Sequence, residues 1–386
     1  MLNNRVSNIA FLSTCPPREC GLATFTQDLI DAIDATGVVN TNFIAVNNDK
    51  YRDYSNKVIY EINQNNRNDY VELAHKLNHS HIDLLVIEHE YGIYGGDHGD
   101  YILDLLDNID IPVITTLHTI LSNPNDKQKL IIQALGEKST KIVTMAKNTS
   151  QLLKTIYGVS PDKIEVIHHG VPFKRVQARH SLKKQFGYEG KQLISTFGLL
   201  SPGKGIEYAI EAISKVSSID NNILYLILGQ THPDQKGEAY REMLEALVIK
   251  HHLERNVKFV NKYLTKDEII QYLQMSDIYM TPYLSKDQAV SGTLAYAVGY
   301  GRAIVSTPYL YAKEMLSEGR GLLAEFENAD ALANCLNTIL QNPDQKTKIE
   351  KNTIKLGKTM YWPIVAKHYT DVFFKTIMLK QETVVV

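Results

Sequence analysis

Five short segments carry residue types that could do chemistry, and each lies where an apolar run gives way to a glycine-containing turn. The first is Ser13-Thr-Cys-Pro-Pro-Arg-Glu-Cys-Gly-Leu-Ala-Thr-Phe25. Gly21 opens a helical stretch there, so free backbone N–H groups and a positive helix end could hold an anion. An ordinary strand-to-helix turn reads equally well. The segment is not GxGxxG, which removes the dinucleotide fingerprint. Cys15 and Cys20 have no second Cys/His pair at zinc-site spacing, so no metal centre is expected. The second segment, Glu88-His-Glu-Tyr-Gly-Ile-Tyr-Gly-Gly-Asp97, crowds polar and aromatic groups against glycines. It suits a grip on a hydroxyl-rich ligand or a structural polar cluster, and His89-Glu90 is not part of a helical HExxH. The third, Thr115-Thr-Leu-His118-Thr, ends an apolar run on a histidine, and His168-His-Gly170 repeats that placement. The fourth is Phe197-Gly-Leu-Leu-Ser-Pro-Gly-Lys204-Gly205, where one cation in a Pro/Gly turn before a helix could clamp phosphate. The fifth, Ser285-Lys-Asp-Gln-Ala-Val-Ser-Gly-Thr293, offers the hydroxyls and N–H groups of Ser291, Gly292 and Thr293 at a helix start.

The elements that must position these segments follow from hydrophobic patterning. Apolar, β-branched runs are expected as strands at Ile9–Ser13, Asn42–Val46, Val58–Ile62, Leu84–Glu88, Val113–Leu117, Ile142–Met145 and Ile164–His168. Helical spacing intervenes at Gly21–Ile33, Asp69–Leu77, Gln128–Leu135 and Thr149–Tyr157. Continuous apolar strands alternating with amphipathic helices imply a parallel sheet covered on both faces. Gly170–Phe186, with its basic residues Lys174, Arg175, Arg179, Lys183 and Lys184, reads as a connection. The alternation restarts with strands at Leu193–Phe197, Ile223–Leu228, Val257–Val260, Ile278–Thr281 and Ile304–Ser306. Helices are expected at Ile206–Val216, Gly237–His251, Lys266–Met275 and Gly292–Gly299. The tail Asn328–Lys380 reads as helical with breaks at Pro343 and Trp362-Pro363. The expected fold is therefore α/β, with two doubly wound domains facing across a cleft and ligand at the carboxyl ends of the strands.

Composition bounds the function. The chain has 386 residues, 44% hydrophobic and 22% charged, which suits two globular domains. Forty-one Lys+Arg against 43 Asp+Glu leave a formal charge of −2, so nucleic acid is not an expected partner. Three cysteines cannot build a disulfide framework, which fits a reducing, cytoplasmic setting. The first residues lack the n- and h-regions of a secretory leader, and no run is long enough to span a bilayer. Lys346, Lys348, Lys351, Lys355 and Lys358 form a basic run whose readings are a solvated helix face or peripheral contact with a membrane.

In order and spacing these segments resemble a retaining glycosyltransferase of the GT-B fold, family 4 type, over essentially the whole chain. The resemblance is carried by the Gly21 loop, the strand-end His118, FGLLSPGKG (Phe197–Gly205), the block SGTLAYAVGYGRAIVSTP from Ser291, Gly319-Arg-Gly-Leu-Leu and the Trp362 tail. It implies domains at 1–172 (acceptor side) and 173–360 (nucleotide-sugar side), with 361–386 packing back on the first. The implied donor is a nucleotide-diphosphate sugar, with no separate cofactor and no metal, and the implied acceptor is a saccharide or lipid-linked. By position, Gly21 would approach the donor phosphates and the acceptor, and His118 would bond the donor sugar. Lys204 would neutralise the departing diphosphate, and Ser291, Gly292 and Thr293 would bind phosphate. Gly198 and Gly229, at strand ends, and the region of Tyr263 would border the nucleotide.

The chain departs from the family pattern at three positions. Leu199 stands where many relatives have arginine, and the paired glutamates fall on Gln288 and Tyr296, with seven residues between them. Gln288 or Asp287 would then meet sugar hydroxyls, Tyr296 a ribose, and Arg302 or Arg18 would supply a second positive charge. A sugar phosphorylase or epimerase of the same fold, or a sugar-nucleotide binding protein without turnover, are the alternatives.

Overall fold

The computed structural model of the protein describes residues 6–18, 20–48, 53–231 and 238–384. The leader reading of the first five residues, Glu19 and Gly237 fall outside these. The chain begins β1 (Ser7–Ser13), α1 (Gly21–Asp34), β2 (Val39–Asn47), β3 (Val58–Asn63), α2 (Arg67–Asn78) and β4 (Leu84–His89). It continues α3 (Ile102–Asn108), β5 (Val113–Leu117), α4 (Asp126–Lys138), β6 (Lys141–Thr144), α5 (Lys147–Thr155) and β7 (Ile164–Val166). Then follow α6 (Arg179–Gln185), β8 (Gln192–Phe197), α7 (Ile206–Ser217), β9 (Ile223–Leu228), α8 (Ala239–Lys250), β10 (Val257–Val260), α9 (Lys266–Met275) and β11 (Ile278–Thr281). The last are α10 (Gly292–Gly299), β12 (Ala303–Ser306), α11 (Leu310–Met315), β13 (Leu322–Leu323), α12 (Ala329–Leu340), α13 (Pro343–Gly357) and α14 (Trp362–Val384).

Two units result. One runs to Gly170 and takes in the chain from Trp362 onward; the other is Val171–Tyr361. Each has a parallel sheet, ordered β3-β2-β1-β4-β5-β6-β7 in the first and β10-β9-β8-β11-β12-β13 in the second. The central strands explain the apolar runs: every residue of β4 (LLVIEH) and of β9 (ILYLIL) is buried, because helices cover both faces. In the second unit α7 and α12 close one face through Ile206, Ile210, Ile213, Leu332 and Leu336.

The first unit is completed by α14. Phe373 meets Phe11 of β1 edge-on at 6.1 Å, and the Tyr369 hydroxyl lies 3.3 Å from Thr116 Oγ1 on β5. Gly170 must be glycine here, since a Cβ would come within 2.1 Å of the Trp362 ring. The breaks expected in the tail are helix starts: Pro343 is the first residue of α13, capped by Asn342, and Pro363 lies in the first turn of α14, where a missing N–H costs nothing.

The short elements α3, α11 and β13 were not expected; none is long enough to show a period. The connection also holds structure, because α6 forms within the basic run. Arg179 and Lys183 of α6 converge with Lys346 of α13 on Asp277, which is 5% exposed. Those charges, read as part of a connection and as a run on a solvated helix face or a membrane contact, are therefore partly an internal network. Lys348, Lys351, Lys355 and Lys358 remain exposed. No helix among the described residues is long and apolar enough to cross a membrane.

Candidate functional site

In the first unit the carboxyl ends of β1, β4 and β5 gather polar groups. Gly21 is the first residue of α1, and Cys20 caps that helix, its Sγ accepting from the Ala23 N–H at 3.4 Å. Among the described residues a side chain at Gly21 would meet nothing within 4 Å, so the start of α1 is open there. One turn later Phe25 packs edge-on against three rings: His118 at 4.8 Å, His169 at 5.0 Å and Trp362 at 5.4 Å.

His118 follows β5 directly. Its backbone N–H donates to the His89 carbonyl at 3.0 Å, and its Nε2 lies 2.7 Å from Glu88 Oε2. Glu88 is fully buried, while the His118 side chain retains 12% exposure. His89 is also fully buried, stacked on Tyr94 at 6.0 Å, and burial followed by the charge of His118 presses its pKa down to about 3. Thr119 Oγ1 donates to Glu90 Oε2 at 2.5 Å. His168 is held by the Met145 carbonyl, 3.1 Å from its Nδ1.

In the second unit two glycine turns abut. Gly198 (φ 134°) ends β8 and Gly229 (φ 140°) ends β9, conformations that L side chains rarely adopt. A Cβ on Gly229 would lie 2.1 Å from the Gly198 carbonyl, so the strand ends approach backbone to backbone. The chain then turns through Ser201–Gly205 into α7. Gly205 takes φ 61° and caps the helix, packed so closely that a Cβ would lie 2.1 Å from the Pro282 carbonyl. Leu284 N–H donates to the Gly203 carbonyl at 3.0 Å, docking this turn on the chain leaving β11.

That docking sets Lys204 over Tyr283, with Nζ 4.0 Å from the ring centre. The Tyr283 hydroxyl lies 2.8 Å from Thr293 Oγ1, and Thr293 Oγ1 lies 3.2 Å from Ser291 Oγ. Ser291 caps α10, accepting from Leu294 N–H at 3.3 Å, and Gly292 is the first residue of that helix. Tyr283 is itself stacked on Tyr309 at 5.4 Å, and Tyr309 OH lies 2.8 Å from Thr281 Oγ1. The structure thus brings Lys204, Ser291, Gly292 and Thr293 together around one tyrosine.

Other expected residues are placed differently. Gln288 lies in the loop between β11 and α10, but its Nε2 donates to the Val290 carbonyl at 2.6 Å, so the amide shapes its own loop. Asp287 is half-buried beside it. Tyr296 is 9% exposed and packs edge-on with Phe197 at 6.3 Å, which sets its ring mainly in the core. Tyr263, beyond β10, is 48% exposed. Arg302 is not a strand-end cation: it precedes β12, and its guanidinium donates to the carbonyls of Tyr300, Gln274 and Ser276 at 3.0, 3.2 and 3.2 Å. Backbone acceptors at the amino end of the sheet hold it away from the turns. Arg18 sits in the β1–α1 turn, with its N–H on the Cys15 carbonyl at 3.0 Å. Among the described residues no group of three His, Cys, Asp or Glu could hold a metal ion.

Family comparison gives these two constellations a common frame. A model of the "Glycosyltransferase Family 4" domain matches residues 21–175, and one of "Glycosyl transferases group 1" matches 178–356, so that together they cover most of the chain. The chain belongs to the group 1 glycosyltransferases. The first match begins at Gly21 and the second includes Lys204 and Ser291–Thr293. D-inositol 3-phosphate glycosyltransferase of Corynebacterium glutamicum (strain R) is 21% identical over 289 residues, which are 68% of this chain and 66% of that protein. Spore coat protein SA of Bacillus subtilis (strain 168) is 23% identical over 265 residues, covering 64% of this chain and 68% of that one. The chain thus aligns with about two thirds of these relatives' length, just under it for the first.

Solved structures share the fold. Anabaena Alr3699/HepE, in complex with UDP and glucose, superposes with a TM-score of 0.73 at 15% identity, over 96% of this chain and 100% of that one. Sucrose-phosphate synthase from Thermosynechococcus elongatus does so with a TM-score of 0.79 at 16% identity, over 96% and 98%. The fold of the group 1 chain is GT-B.

Tyr283 and Tyr309 were not expected in the site, and Glu88, the first residue of the second segment, was not expected as the partner of His118. The tyrosines had a signal: Thr-Pro-Tyr begins on the last residue of β11 at 281–283 and recurs after β12 at 307–309.

Proposed function

We propose that the protein is a hexosyltransferase that takes a nucleotide-diphosphate sugar and passes the sugar, with retention of anomeric configuration and without a metal ion, to a saccharide or lipid-linked acceptor. One observation carries this reading: the Lys204 ammonium and the hydroxyls of Ser291 and Thr293 meet at Tyr283, between the N-termini of α7 and α10. A leaving diphosphate needs positive charge and N–H donors where its own charge grows, and a preorganised arrangement supplies them without reorganisation. The UDP bound by the Anabaena structural neighbour supports a nucleotide donor.

In this reading the glycosidic bond of the donor breaks toward the diphosphate, and Lys204 with the two helix ends takes up the charge. The acceptor hydroxyl attacks the same face, its proton passing to a departing phosphate oxygen, so no side chain need act as nucleophile. Gly21 and His118 of the first unit serve the acceptor and the sugar hydroxyls.

Release of nucleoside diphosphate from UDP-, GDP- and ADP-hexoses, with and without EDTA and with a panel of acceptors, tests the proposal. EDTA-insensitive release that Lys204→Ala abolishes supports it. Release that requires inorganic phosphate would point to a phosphorylase instead.

A binding protein without turnover is the second reading, favoured by the commitment of the Gln288 amide to Val290 and the burial of Tyr296. Donor binding without release against any acceptor would support it. Peripheral membrane contact through Lys348, Lys351, Lys355 and Lys358 is testable by vesicle co-sedimentation at low and high salt.

A further inference from the structure

Glu88 is an unusual residue for its place. It is the fifth residue of β4, near the centre of the sheet, in register with Thr116 of β5, and it is completely buried. A carboxylate without solvent is costly unless it is paired, and an apolar residue would serve packing better. Its Oε2 has His118 Nε2 at 2.7 Å, while Oε1 has no hydrogen-bond partner among the described residues. Among the described residues no lysine or arginine is paired with it, and the buried tyrosines Tyr94 and Tyr369 lie near it. Tyr94 OH donates to the Glu88 backbone carbonyl at 2.9 Å rather than to its carboxylate. Among the described residues the carboxylate therefore serves His118 alone.

The imidazole is correspondingly fixed. Its backbone N–H is on the His89 carbonyl, its ring stands at 87° to Phe25, and its Nε2 faces Glu88. A carboxylate accepts and cannot donate, so Nε2 must carry hydrogen. The other ring nitrogen, Nδ1, is then the one left to meet a ligand.

We propose that Glu88 is the positioning residue of His118: its buried carboxylate holds the Nε2–H tautomer, so that Nδ1 accepts a hydrogen bond from a hydroxyl of the bound sugar. This rests on the glycosyltransferase reading for the identity of the ligand, though not for the tautomer. The groups that face the pair are His89 on β4, His169 after β7, Phe25 on α1, Tyr94 beyond β4 and Tyr369 on α14. His89 is kept neutral by burial, so it does not compete with His118 for the Glu88 charge.

The test combines Glu88→Leu, which removes the charge and keeps the site apolar, with His118→Ala and the double variant. Glu88→Gln, near the native shape, stands in should Glu88→Leu fold poorly. Two readouts are taken at pH 8. Nitrogen-15 NMR of the labelled histidines, with His118 assigned through His118→Ala, reports which ring nitrogen carries hydrogen. Steady-state donor turnover reports kcat and KM. The expected result is an Nε2–H ring in the wild type and a mixture of tautomers in Glu88→Leu or Glu88→Gln. With it, kcat falls about 10-fold or more, the scale seen when the partner that orients a functional histidine is removed. In the His118→Ala background the Glu88 substitution should cost nothing further. An unchanged tautomer, or the same loss with and without His118, overturns the proposal. If the wild type turns over no donor, the transferase reading fails while the NMR result still decides the Glu88–His118 pair.

Discussion

The Lys204 ammonium stands 4.0 Å above the centre of the Tyr283 ring, and the hydroxyl of the same ring lies 2.8 Å from Thr293 Oγ1. One side chain therefore ties the cation of the first strand-end turn to the hydroxyls at the start of α10. Leu199 leaves no arginine beside Lys204 in that turn, and the aromatic face of Tyr283 holds the lysine in place.

This makes the ring, not its hydroxyl, the main support. Tyr283→Phe should keep donor turnover within a few-fold of wild type, because the face is retained. Tyr283→Leu should lower kcat/KM by roughly 2- to 30-fold, the span of one cation–π contact from exposed to desolvated. Steady-state kinetics of the two variants checks the order; equal losses would assign the effect to the Thr293 contact.

Lys204→Ala should reduce kcat by on the order of 10²-fold or more, the scale of losing one preorganised charge contact at a developing anion. The melting temperature without ligand should hardly move, since Lys204 is half-buried and makes no salt bridge among the described residues. Turnover and unliganded melting curves together test this.

Stability should fall on acidification before any carboxylate is involved. His89 is pressed down to about 3 by burial, and His169 to about 4 for the same reason, against the opposing pull of the Gly170 carbonyl. Unfolded histidine titrates near 6.5, so below that pH the unfolded chain binds protons that the folded chain refuses. The sign is thus a loss of stability as pH falls from about 6.5 toward about 4, at about 1.4 kcal/mol per pH unit for each ring. Unfolding followed across that range should show the slope, and His89→Leu should flatten it.

Asp277→Asn should destabilise the second unit by about 3–5 kcal/mol, the usual cost of stranding buried partners of a charge network. Burial alone would raise the Asp277 pKa, but Lys346 and Lys183 outweigh it and hold the carboxyl below its ordinary value. Its contribution is therefore present above pH ~4 and lost as pH drops through the lower folded value. Denaturant unfolding at pH 7 measures the loss.

The sequence made the parallel strands, Gly198, Gly229, Lys204 and His118 legible because each is a local signal: an apolar run, a glycine at its end, a charged residue in a turn. Glu88 was not legible as the partner of His118, since a separation of 30 positions hides the pairing of β4 with β5. Arg302 looked like a free cation and is tied to backbone carbonyls, because only the fold shows which end of β12 it occupies. Tyr283 and Tyr309 lay in a visible repeat, Thr-Pro-Tyr, that means nothing until β11 and β12 are neighbours. Local chemistry was readable; contacts across strands were not.

The central claim is that the Lys204 turn and the start of α10 bind the diphosphate of a sugar donor. Thermal melting of the wild type and Lys204→Ala against UDP-, GDP- and ADP-hexoses tests it most directly. At 100 times its dissociation constant a ligand adds about 2.7 kcal/mol, which a melting curve resolves. The account predicts that one nucleotide class stabilises the wild type and that Lys204→Ala largely loses the effect. Stabilisation equal in both proteins, or none in the wild type by any donor, would contradict it.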